Sequence, residues 1–138
     1  KLSEALESFQ RVIDSGSQSH AMAAYFIGLI NFFLGNDESA AVAFERFRDL
    51  SPESMIANYY LAQLRIKRKE YDKARELLQE LAAETPNFAE VHYMMGVTNF
   101  GLHDTTGAMV SLRKALEINP DDDRARSKLT LISDVQWP

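Results

Sequence analysis

The chain has 138 residues, 46% hydrophobic and 25% charged, proportions that suit one globular domain with a core of its own. A formal net charge of -5 argues against a nucleic-acid module, which would carry a basic face. The absence of cysteine excludes a disulfide framework and a thiolate zinc site, and leaves the compartment open.

From the N-terminus, Ser3-Glu4-Ala5-Leu6 with Phe9 and Val12 predicts a helix over 1–16. Lys1 opens directly onto this pattern, without an initiator Met or a signal peptide, so the expectation is a fragment of a longer protein. A turn is expected over Ser15–Ser19. Residues 21–34 are the most apolar stretch, yet Gly28 and Asn31 interrupt them and they fall short of a membrane span. Three units follow at 21–54, 55–88 and 89–122, each apolar at helical spacing in both halves. In the last, Tyr93, Met94, Val97 and Phe100 precede Ala108, Leu112, Ala115 and Leu116. Breakers separate the halves: Leu34-Gly35-Asn36-Asp37, Lys69-Glu70-Tyr71-Asp72 and Leu102-His103-Asp104-Thr105. A last helix is predicted over 123–136, with Leu129 and Ile132 on one side and basic residues on the other, as a terminal cap needs.

The units share a period. Pro52, Pro86 and Pro120 stand 34 apart, and so do Ala40, Ala74 and Ala108. Gly28, Ala62 and Gly96 keep the step, as do Ile27, Leu61 and Met95, then Phe44, Leu78 and Leu112, then Tyr25, Tyr59 and Tyr93. Each unit therefore reads as two antiparallel helices, with small residues where the axes approach to roughly 8–10 Å. Ser51, Thr85 and Asn119 precede the prolines and are expected to satisfy orphan backbone donors. Ala5 and Phe9 copy the Ala40 and Phe44 pair at a step of 35, which places one inserted residue in the Ser15–Ser19 turn. One such hairpin cannot bury its own apolar faces, so the units must stack.

This pattern resembles the tetratricopeptide repeat family. Residues 89–122 carry it through Met95-Gly96, Ala108, Leu112, Ala115 and Asn119-Pro120-Asp121-Asp122. Residues 21–54 supply Ile27-Gly28, Ala40, Phe44 and Pro52, and residues 55–88 supply Leu61-Ala62, Ala74, Leu78 and Pro86. The sequence departs from the family at its Trp site (Ala24, Asn58, His92) and at its helix-A Tyr site (Asn31, Arg65, Asn99). The resemblance implies an all-α, right-handed superhelical solenoid of about eight helices over 1–138, with 1–16 as the second helix of a preceding repeat. It further implies a concave groove lined by the first helix of each repeat. In this sequence the groove positions are Met22, Tyr25, Leu29, Phe32 and Phe33, then Ile56, Tyr59, Gln63, Ile66 and Lys67, then Glu90, Tyr93, Val97, Phe100 and Gly101. Glu90 and Gly101 aside, these are the expected peptide-binding residues. Tyr25 and Tyr59 are expected to add hydrogen bonds to a bound backbone.

Chemistry is expected to be absent. His20, His92 and His103 share no ligand spacing, no Gly-x-Ser-x-Gly elbow occurs, and Asp121-Asp122-Asp123 lacks the rest of a calcium loop and suits a helix start. No enzyme activity, metal or cofactor is therefore expected. The family's clamp for heat-shock chaperone carboxylates would need basic and Asn residues where the chain has Tyr25, Leu29, Tyr60, Glu90 and Met94. One repeat further along, the sites read Tyr59, Gln63, Met94, Arg124 and Lys128, and again no clamp is formed. The basic run Arg65, Lys67, Arg68 and Lys69 suits the C-terminal end of a helix. The expected function is a non-catalytic scaffold that takes a protein or peptide with an apolar anchor, self-association included, without nucleic acid or membrane insertion. The alternative is an assembly, oligomerisation or spacer module of a larger protein, of the kind found in bacterial envelope or exopolysaccharide assembly.

Overall fold

A computed structural model describes residues 2–14 and 20–136; the Ser15–Ser19 turn, with its expected extra residue, lies outside the described residues. Every regular element among them is helical: α1 (Leu2–Asp14), α2 (His20–Leu34), α3 (Asp37–Leu50), α4 (Asn58–Lys67), α5 (Tyr71–Glu84), α6 (Ala89–Gly101), α7 (Thr105–Ile118) and α8 (Asp123–Gln136). They group into two compact units, residues 1–64 and 65–138.

Backbone chemistry repeats with the sequence. At the end of α2, α4 and α6 the chain turns through a left-handed residue, Gly35 (φ 82°), Lys69 (φ 60°) or His103 (φ 62°). The amides of these residues bond the carbonyls of Phe32, Ile66 and Phe100 at 3.2, 2.9 and 3.0 Å. The next amides, of Asn36, Glu70 and Asp104, reach Asn31, Arg65 and Asn99 at 2.8 Å each. This is a Schellman motif made three times, and it satisfies carbonyls that the helix end would otherwise orphan. The second helices also end alike: the amides of Ser51, Thr85 and Asn119 bond Phe47, Leu81 and Ala115, each at 2.8 Å.

Two local expectations are corrected. The hydroxyl of Thr85 donates to the Leu81 carbonyl (2.7 Å) and that of Ser51 to Glu53 (2.9 Å), so these side chains do not serve the orphan donors of the following helix. Residues 55–57 are also not helical. The Ile56 amide is held by the Ser54 hydroxyl at 3.4 Å and the Asn58 amide by the Met55 carbonyl at 3.0 Å, so the chain turns there and α4 begins at Asn58.

In the unit 1–64, α2 lies along α3 and α1 packs on α2. A Cβ added to Gly28 would sit 2.6 Å from the Phe44 ring, which is fully buried. In the unit 65–138, α6 lies along α7, flanked by α5 and α8, and Gly96 meets Leu112 in the same way at 2.6 Å. Ala108, Leu112, Ala115, Ala125 and Ile132 form a buried cluster there. Burial of each large side chain contributes roughly 1.5–3 kcal/mol, so the alanines and glycines act mainly by letting those side chains reach the opposite backbone.

Candidate binding faces

Helix α2 has no charged residue from Ala21 to Leu34, and it is apolar on more than one side. Ala23, Ala24, Ile27 and Asn31 are buried. The other side carries the predicted residues of this helix. Met22 is 51% and Phe33 72% exposed, while Tyr25, Leu29 and Phe32 are half-buried. An apolar helix in a soluble domain normally hides such side chains, so their accessibility sets this face apart.

Ring contacts fix the face. Phe32 meets Phe33 edge-on at 5.4 Å and Tyr60 at 5.1 Å, and Tyr60 in turn stacks on buried Phe44 at 5.4 Å with 9° between planes. Tyr59 stands edge-on to Tyr60 at 5.2 Å. Tyr25 leans on Phe47 at 5.4 Å. Burial raises its phenol pKa above the usual value, aided by Tyr60 and by the hydrogen bond they share. Tyr60, the hub of these contacts, was absent from the groove positions. Its 34-residue step from Phe26 was the available signal, because Phe26 stacks on Phe9 (5.3 Å, 21°) as Tyr60 stacks on Phe44.

Of the remaining predicted residues in this unit, Tyr59 and Gln63 are half-buried on α4, and Ile56 is exposed in the preceding turn, off the helix. A cleft of about 700 Å³ between α1, α2 and α3, reached by Leu6, Gln10, Ile27, Val42 and Arg46, includes none of the predicted residues. Nothing in the sequence pattern marks it.

In the unit 65–138, Ile66 is half-buried and Lys67 exposed at the end of α4, where Arg65 pairs with Glu70 at 3.1 Å. On α6, Tyr93 and Val97 are half-buried and Phe100 is exposed. Tyr93 carries the guanidinium of Arg124, 4.2 Å from its ring centroid. Burial raises the Tyr93 phenol pKa although the Arg124 charge opposes it. Arg124 donates to Glu90 through Nη1 (3.3 Å) and Nη2 (2.5 Å), and to Asp122 through Nε (3.3 Å). Asp122 also accepts the amides of Arg124 (3.1 Å) and Ala125 (3.2 Å), which makes it the cap of α8. Burial alone would raise its carboxyl pKa, but the Arg124 bond and these amides bring it below the usual value. Among the described residues no cluster of His, Cys, Asp or Glu could hold a metal, and no helix is long and apolar enough to cross a membrane.

Models of the tetratricopeptide repeat match residues 1–46, 35–97 and 89–122, together spanning 1–122. The chain belongs to the tetratricopeptide repeat family. Among solved structures it is similar to a double mutant of MamA RS-1 (TM-score 0.91, 20% identity, 99% of this chain and 76% of that one). It is also similar to MamA from Desulfovibrio magneticus RS-1 (0.82, 19%, 97% and 84%). A third similar structure is the first repeat domain of Spaghetti (RPAP3) bound to an HSP90 peptide (0.77, 19%, 83% and 91%). At these identities the likeness is one of fold. No curated protein matches in sequence. Tetratricopeptide repeats are in general interaction scaffolds without catalysis of their own.

Proposed function

We propose that this protein is a non-catalytic scaffold whose α2 face, in the unit 1–64, takes the apolar anchor of a partner peptide or helix. The observation that carries this is the accessibility of Phe33 and Met22 on a charge-free helix whose other side is already used by the core. Phe32 and Tyr60 hold the Phe33 ring from one side, so an incoming side chain meets a surface that is already set. Pre-ordered aromatic surface costs little entropy on binding, which is why rings dominate contact sites. That the similar RPAP3 domain is bound to a peptide supports the same reading.

The test is to pan a displayed random-peptide library on the parent and titrate the recovered peptides against Met22→Asp with Phe33→Asp. Both changes sit at exposed positions, and circular dichroism checks that the helices persist. The recovered peptides should share a bulky apolar anchor and lose at least about tenfold in affinity, since two apolar contacts of roughly 1.5–3 kcal/mol each are removed. Peptides without such an anchor, or equal binding by the variant, would overturn the assignment.

A further inference from the structure

The unit 65–138 bears on which partners are refused. Glu90 and Arg124 are 34 residues apart, the same position in successive repeats, and Tyr93 lies one turn beyond Glu90 on α6. A guanidinium lying on an aromatic ring, with its side chain 55% exposed, is a ready receptor for a carboxylate. Here both oxygens of Glu90 already fill that role.

We propose that Glu90 is a specificity filter: its carboxylate occupies Arg124 from within the chain and bars acidic peptide ends from the α6 face. Glu90 is held beside Arg124 by the fold, so a free acidic peptide reaches that guanidinium only by displacing a group already in place. Asp122 is not the removable partner, because its oxygens are also spent on the start of α8. Glu90 sits within a helix, and its loss leaves that cap intact. The ligands this face accepts are therefore uncharged or basic beside their apolar anchor. The proposal rests on the first-helix faces being the contact surface, yet its test reads a gained ligand where that reading is tested by a lost one. Either can fail alone.

The probe is a fluorescein-labelled peptide, Gly-Ser-Leu-Glu-Glu-Glu with a free C-terminus, and its amidated glutamine counterpart. The parent should give no saturable polarisation change. Glu90→Ala and the isosteric Glu90→Gln should each bind the acidic peptide at least tenfold more tightly, and the glutamine peptide no better than the parent does. Added salt should weaken the gain, and Arg124→Ala on either background should abolish it. If both Glu90 variants behave as the parent, if the parent already binds the acidic peptide as tightly as they do, or if the gain survives Arg124→Ala, the filter does not exist.

Discussion

Gly28 and Gly96 are the positions where one atom decides the packing. A methyl group at either would lie 2.6 Å from a buried side chain, Phe44 or Leu112, neither of which has solvent on any side to move into. Gly28→Ala and Gly96→Ala should each destabilise the protein by about 1–3 kcal/mol, measured by denaturant titration, although alanine is the better helix former. Midpoints equal to the parent's would mean that the hairpins are looser than the structure places them. These contacts were legible in the sequence because a 34-residue period in small residues has no other physical reading. The Arg124 arrangement was not. A cation over Tyr93, flanked by Glu90 and Asp122, depends on rotamers that spacing cannot supply, and the acidic run at 121–123 suggested only a helix start.

At the level of the helix ends, the same left-handed turn is made by glycine once and by Lys69 and His103 otherwise. A side chain in that conformation costs roughly 1–2 kcal/mol against glycine. Both residues are exposed, so little packing is lost on their removal. Lys69→Gly and His103→Gly should therefore each stabilise the protein by about 1 kcal/mol, and raise the thermal midpoint. A variant that melts at or below the parent temperature would show that the turn is not left-handed in solution. The breakers marked these turns in the sequence, but a lysine and a histidine do not announce a left-handed backbone. Only alignment with Gly35 does. The late start of α4 was equally hidden, since Met55-Ile56-Ala57 is compatible with helix, yet the Ser54 and Asn58 amides bond the Ser51 and Met55 carbonyls in turns.

For the whole molecule, the all-α architecture followed from the period, because a helical hairpin that cannot bury its own faces has to be used more than once. The candidate binding residues are less legible. Apolar positions on a first helix read alike whether they face a neighbour or water, and Tyr25, at one of them, leans on Phe47 within its own unit.

The stacked pairs Phe9–Phe26 and Phe44–Tyr60 lead to a different consequence. Two seams within residues 1–64 are built from rings at equivalent places, and phenylalanine or tyrosine serves in the second ring. A gene that duplicated residues 21–54 in frame would bring Phe44 of one copy against Phe26 of the next, a pairing the chain already tolerates in the form of Phe9 with Phe26. Such a seam gives the protein a route to grow by whole repeats without new packing solutions, each addition bringing another uncharged face like that of α2. The duplicated protein should unfold in one transition at a higher temperature than the parent, as added neighbours reinforce a linear array. Two separate transitions, or a lower midpoint, would show that the seams are not interchangeable.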